Sequence, residues 1–253
     1  MGEEEFKKQI RVDVWRKLGH WNRIPPFYGQ GLAARQLDRL DCYLRAERVF
    51  APPDQALYDA RLKVLKDRKQ LVMATPRIRD GFYELPHTIR RELWPKAVRS
   101  HEVHKCGRKL TAIDEVGRGK VDMILTGAVA ASAENGARIG KGTGYGDLEY
   151  GILSEVGSVD EKTPIVTLVH DLQVFDQVFS YQPKDVSTDW ILTPTSVIRV
   201  RHPVNRPKGL DWSYVEEHRE LFANMRPIRE LLELRRGAKR PLDNDVVAEF
   251  QAE

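Results

Sequence analysis

The chain has 253 residues, with 41 Lys and Arg against 37 Asp and Glu, a net charge of +4, and two cysteines, Cys42 and Cys106. That length spans one large domain or two small ones and permits a substantial core, while two cysteines exclude a disulfide framework. No apolar run reaches the roughly 18 residues of a membrane span, the first residues carry acids where a leader peptide carries bases, and no long Lys/Arg block occurs. A soluble cytoplasmic protein that handles anionic small molecules is expected, with no membrane or nucleic-acid partner.

In chain order, the spacing predicts a helix over residues 3–19: acids open it, bases follow, Phe6, Ile10, Val14 and Leu18 recur at four-residue steps, and Gly19 stops it. Lys7 and Arg11 fall one turn apart near that face, either as a solvated basic edge or as paired ligands for one anion. A Pro/Gly-punctuated loop over 20–31 precedes a second helix over 32–44, read from Leu32, Leu37, Leu40 and Leu44. Residues 48–50 begin a short strand, 55–67 resume helical spacing, and 70–74 read as a strand. Residues 86–120 are polar and poorly periodic, an insertion or excursion. They hold His101, His104 and Cys106, a zinc-like spacing without an evident fourth ligand.

From 121 the pattern sharpens. Residues 121–126 are a buried-strand run, and 127–132 are small and open. Then comes Arg138-Ile-Gly-Lys-Gly-Thr-Gly-Tyr-Gly-Asp147, with Gly140, Gly142, Gly144 and Gly146 at every second position. Glycine packs nothing in a strand, so this is a loop. Positive φ angles there turn successive backbone N–H groups toward an anion, Arg138 and Lys141 add cationic donors, and Asp147 offers a hard oxygen for Mg²⁺. The bland alternative is a surface hairpin with incidental charges. A helix is expected to begin at Leu148, which completes the strand, glycine loop and helix order by which α/β folds hold phosphate; the spacing matches neither the dinucleotide fingerprint nor the P-loop.

Residues 163–169 form another buried run, followed by His170 and Asp171 as strand-end polar groups that serve either the fold or the site. Residues 190–193 are the last buried strand, 196–201 alternate as an edge strand, and Ser213 with Glu216 is spaced as a capping box. A final helix over 227–236 stops at Gly237, and the tail from Ala238 reads as frayed or as an oligomer arm.

The glycine segment resembles the Arg-Leu-Gly-x-Gly-x-Gly-Tyr-Tyr-Asp signature of the 5-formyltetrahydrofolate cyclo-ligase (methenyltetrahydrofolate synthetase) family, with Gly146 in place of the second Tyr. Asp147-Leu-Glu-Tyr150 and Thr167-Leu-Val-His-Asp-Leu-Gln173 are similar to its paralogous cyclo-ligase-like branch. The resemblance implies a three-layer α/β/α fold with a mostly parallel sheet, as in the NagB/RpiA/CoA-transferase-like group. The resemblance covers about residues 5–212, and the domain it implies is 1–204, with a helical extension over 205–253. ATP and Mg²⁺ are implied cofactors. Lys7 and Arg11 match a Lys-x-x-x-Arg pair that holds ATP phosphates, together with Gly140, Lys141, Gly142, Thr143, Gly144 and Tyr145; Asp147 and Asp185 match the two Mg²⁺ aspartates, and Arg138, Lys141 and Tyr145 the catalytic group.

The implied reaction is ATP-dependent closure of 5-formyltetrahydrofolate to 5,10-methenyltetrahydrofolate. One departure bears on the substrate: the Glu-x-x-Thr segment that contributes to folate binding is replaced by Pro53-Asp-Gln-Ala-Leu-Tyr58, which lacks a glutamate. Two alternatives therefore stand beside the cyclo-ligase: an ATP-using paralogue acting on another heterocycle, with a link to thiamin metabolism, and a non-enzymatic nucleotide-binding module.

Overall fold

The computed structural model describes residues 2–110, 113–204 and 206–239. Its strands are β1 (Arg48–Phe50), β2 (Gln70–Ala74), β3 (Phe82–Leu85), β4 (Arg108–Leu110), β5 (Met123–Thr126), β6 (Ala130–Ser132), β7 (Arg138–Ile139), β8 (Ile165–Leu168), β9 (Val174–Phe175), β10 (Trp190–Leu192) and β11 (Val197–Arg199). Eight of them form one sheet in the order β11-β10-β8-β5-β1-β2-β3-β4, and β7-β6-β9 form a small second sheet. The centre, from β10 to β2, is parallel, whereas β11 pairs antiparallel at one edge and β3 pairs antiparallel with both β2 and β4 at the other.

Side-chain alternation divides the core in two. Val49, Leu71, Met73, Met123 and Leu125 join one apolar cluster with the Glu3–Leu18 and Tyr58–Lys66 helices, through Val14, Trp15, Val64 and Leu65. Phe50, Val72, Ile124 and Ile165 face the other way, against the Tyr145–Glu155 and Arg226–Lys239 helices, through Ile152, Leu153 and Ile228. This is the expected α/β/α layering, and burial on both faces is why the central strands read as continuous apolar runs rather than alternating ones.

The chain runs from β1 outward to β4 and then returns to lay β5 on the other side of β1. The order thus reverses between β1 and β5. The crevice beyond the carboxyl ends of strands at such a reversal is where open α/β sheets bind ligands. The loops at Pro52 to Asp54 and at Gly127 lie there.

Several expected elements are corrected. The helix over 32–44 is three pieces, Gln30–Arg35, Gln36–Arg39 and Asp41–Arg45, because Leu40 is extended (φ −106°, ψ 115°). Leu32 and Leu44 are exposed, while Leu37 and Leu40 are buried. The small residues 130–132, read as open, form a fully buried strand. The helix at 212 is capped by Asp211, whose carboxylate accepts from the Tyr214 N–H, not by Ser213. Gly237 lies inside Arg226–Lys239 rather than ending it. His101 lies in a turn before a short helix, Val103–Cys106, and no group of three or more metal-ligating side chains occurs among the described residues. Of the tail expected from Ala238, the first two residues belong to the Arg226–Lys239 helix and the rest lies outside the described residues. None of the described helices is long and apolar enough to cross a membrane.

Candidate functional site

The glycine segment begins on β7 and ends in a helix. Gly142 (φ 97°) and Gly144 (φ 68°) take the left-handed conformation that favours glycine, while Gly140 and Gly146 do not. Gly144 sits at the N-cap, and the helix is Tyr145–Glu155, three residues earlier than expected. Tyr145, Gly146 and Asp147 therefore occupy its first turn, where backbone N–H groups lack intrahelical partners and the dipole favours an anion.

Arg138 organises what surrounds this loop. Its guanidinium donates to the Val186 carbonyl (2.9 Å), to Thr126 Oγ1 (2.9 Å) and to Asp147 Oδ1 (3.2 Å). It thereby ties the end of β5, the helix start and the segment after Asp185 together. Asp147 Oδ1 also accepts from the Val186 N–H (3.0 Å). Asp185 lies one residue before Val186, and its Oδ2 accepts from the Gln182 N–H and lies 3.8 Å from Lys7 Nζ. Burial, only partly offset by Arg138 and the Val186 N–H, raises the Asp147 carboxyl above its ordinary range, and nearby Asp185 adds to this. The two aspartates expected to share an ion thus lie on one side of the molecule.

Lys7 is buried and also contacts Glu3 (2.7 Å), while Arg11 Nε donates to the Gly140 carbonyl (2.9 Å) and its guanidinium lies against Gly142. Lys7, Arg11, Gly140, Gly142, Thr143, Gly144, Tyr145, Asp147 and Asp185 all border one cavity of about 570 Å³. Its far wall comes from the C-terminal helices: Leu210, Tyr214, Val215, Leu221 and Phe222. The Tyr214 ring is itself held between Lys184, 3.8 Å from its centroid, and His218 at 4.2 Å.

Lys141 does not face that cavity. It lies on the opposite side of the loop, in a second cavity of about 460 Å³, with its ammonium 3.8 Å from Asp54 Oδ1 and 5.9 Å from the Tyr145 ring centroid. This side was not foreseen. Asp54 is carried by a loop fixed from below by Arg61, which is 1% exposed and donates to the carbonyls of Pro52 (2.5 Å), Asp54 (2.8 Å) and Val98 (2.9 Å). Glu149, 4% exposed, reaches the same cavity from the helix. Burial pushes the Asp54 carboxyl up against the pull of Lys141, and burial with the neighbouring Asp54 pushes Glu149 well above the ordinary glutamate range. Arg138, Gly140, Thr143, Gly144, Tyr145 and Asp147 border both cavities, so the glycine segment is a partition.

His170 and Asp171 stay outside. His170 Nδ1 accepts from the Leu172 N–H, and Asp171 accepts from the hydroxyls of Thr193 and Thr195, both at 2.5 Å. They close the turn after β8. Asp54 was within reach of sequence reasoning, since it lies inside the segment at 53–58 that departs from the family pattern.

The 5-formyltetrahydrofolate cyclo-ligase family model matches residues 3–194. The chain belongs to that family. A human methenyltetrahydrofolate synthase domain-containing protein is 36% identical over 220 residues, covering 81% of this chain and 56% of that protein. Its mouse counterpart is 35% identical over 248 residues, covering 92% and 64%. The chain spans between 56% and 64% of the length of the curated relatives it matches. A 5,10-methenyltetrahydrofolate synthetase structure from Aquifex aeolicus aligns with a TM-score of 0.50 at 20% identity, over 77% of this chain and 93% of that one, a likeness of fold. The cyclo-ligase family match ends before the wall formed by Leu210 to Phe222.

Proposed function

We propose that this chain is an ATP- and Mg²⁺-dependent cyclo-ligase that converts 5-formyltetrahydrofolate to 5,10-methenyltetrahydrofolate. The observation that carries this reading is the convergence of Lys7, Arg11, two left-handed glycines, a helix N-terminus, Asp147 and Asp185 on one cavity. Phosphoryl transfer asks a protein for position and charge neutralisation more than for covalent chemistry, and this wall supplies both.

Asp147 and Asp185 would hold the Mg²⁺. Each keeps one carboxylate oxygen, Oδ2 of Asp147 and Oδ1 of Asp185, to which no described residue donates. Two such ligands, with phosphates and water supplying the rest, fit a magnesium site. Bound there, the ion neutralises charge on the transferred phosphoryl group. Arg11 spends Nε on the loop and leaves its terminal nitrogens to the phosphates. The apolar wall at Leu210, Val215, Leu221 and Phe222 packs the nucleoside, which gives the helical extension over 205–253 a part in the site.

The formyl oxygen of the substrate attacks the γ-phosphorus, ADP leaves, and the formyl carbon becomes an imidate-like phosphate ester. The N10 nitrogen then bonds to that carbon, the C–O bond breaks with its electron pair on oxygen, inorganic phosphate departs, and N10 gives up its proton. Lys141, in the second cavity against the partition, would meet the transferred oxygens from the substrate side, and Tyr145 lines both compartments beside it.

A second reading, an ATP-using ligase for a different heterocycle, is favoured by Gly146 and by the missing glutamate at 53–58. Incubation of the chain with MgATP and 5-formyltetrahydrofolate tests both. Growth of methenyl absorbance with stoichiometric ADP supports the first, ADP released only with another heterocycle supports the second, and no MgATP binding rejects both.

A further inference from the structure

Glu149 holds the fifth position of the Tyr145–Glu155 helix, between residues that pack into the core, and is 4% exposed. A buried carboxyl without partners costs several kcal/mol, so such groups in folded proteins are almost always hydrogen-bonded. No described residue hydrogen-bonds to this one or pairs with it.

The cations nearby are engaged elsewhere. Arg138 is committed to Val186, Thr126 and Asp147, and the nearest acid to Lys141 is Asp54, 3.8 Å away. Glu149 borders the 460 Å³ cavity, as does Asp54; the other space it borders, a pocket of about 10 Å³ among Phe50, Ile124 and Tyr150, is too small for a ligand. The larger cavity is where a guest would supply the missing donors.

Gly146 points to the same place. It lies three residues before Glu149, on the same helical face, and also lines the cavity. A Cβ there would meet only Arg138 Nη1, at 3.8 Å. The tyrosine of the family signature would stand in this space, and glycine leaves the approach to Glu149 open.

A carboxyl takes two parallel hydrogen bonds from a planar group that presents two adjacent N–H donors, as it does from the arginine fork. Among heterocycles that pattern is an amino group beside a ring N–H, as in a 2-amino-4-oxopyrimidine or a ring-protonated diaminopyrimidine. We propose that Glu149, seconded by Asp54, binds the aminopyrimidine edge of the substrate's heterocycle and so selects what this ligase accepts. The assignment rests on the ligase reading for its consequence but not for its test. The edge belongs equally to a pterin and to a simple aminopyrimidine, and the probes separate the two.

Calorimetric titration of the full chain with 5-formyltetrahydrofolate, 2,4-diaminopyrimidine and amino-free pyrimidin-4-one reads the site directly. At least one amino-bearing probe is expected to bind tenfold or more tighter than pyrimidin-4-one, and Glu149→Gln to remove most of that preference while leaving the thermal midpoint and MgATP affinity unchanged. The folate binding far tighter assigns a pterin; diaminopyrimidine binding alone assigns a smaller ring. Should Glu149→Gln fail to fold, Asp54→Asn reports the same preference with a smaller loss. Equal binding of all three probes, binding of none, or a preference that survives both substitutions overturns the proposal. Failure of MgATP to bind would instead remove the nucleotide reading and leave this one intact.

Discussion

The two sides of the glycine partition differ in charge and in ancestry. One side presents Lys7, Arg11 and the N–H groups of a helix start, groups suited to an anion, in segments that resemble the family signature. The other presents Asp54 and Glu149 around a single ammonium, and is where this chain departs from that pattern. On the proposed function, the difference teaches that a single segment can keep the activating nucleotide constant while the group to be activated changes. Phosphate recognition is constrained by backbone geometry, whereas heterocycle recognition needs only a few exchangeable side chains.

The comparison breaks most visibly at Lys141, which belongs to the acidic side in space and to the phosphate side in chemistry. Lys141→Met is expected to lower turnover about 10²- to 10³-fold, the usual effect of removing one donor at a developing charge. MgATP affinity should stay within about threefold, since the contact is made chiefly in the transition state. Single-turnover kinetics with a nucleotide titration checks this, and a large affinity loss with unchanged turnover would place Lys141 in the wrong compartment.

Gly142 sharpens the contrast from the other direction, because it borders only the nucleotide cavity and holds φ 97°. Gly142→Val forces a β-branched side chain into that conformation, with a strain of about 1–3 kcal/mol. MgATP binding should weaken roughly tenfold by the same measure, with heterocycle binding unchanged in calorimetry.

Asp171 is the control beyond both cavities. Burial raises its carboxyl, but the Thr193 and Thr195 hydroxyls outweigh this and hold it below its ordinary range. A lowered folded-state value stabilises the protein above the unfolded carboxylate range, about pH 4, and the contribution is lost as pH falls through the folded value. Asp171→Asn should therefore cost about 0.5–1 kcal/mol at neutral pH and nothing well below pH 4, with both ligand affinities unchanged; denaturation curves at the two pH values read the difference.

Much of the fold is legible in the sequence because the signals are local. The first helix has its acids, its four-residue steps and Gly19 in the left-handed conformation as a stop. The parallel strands declare themselves as short apolar runs. Failure came where a pattern averaged over two environments. Leu32, Leu37, Leu40 and Leu44 suggest one stripe, yet the chain extends at Leu40 and the outer two leucines face solvent.

The site was legible in the same uneven way. The glycines and Asp147 could be found in their spacing, whereas Asp185 came only through the family resemblance. That Lys141 turns away from the cavity of Lys7 and Arg11 could not be found, since the direction of a loop side chain is set by the positive φ angles beside it. Glu149 was hidden for a different reason: residues 149–153 are all buried, which erases the period that would have marked an acid as facing inward.

Arg138 adds a consequence for the order of events. One guanidinium braces the wall common to both compartments through three hydrogen bonds. If guests on the two sides both bear on that brace, as the proposed function has it, whatever factor the first lends to the second must be returned in equal measure, and neither would be a passive tenant.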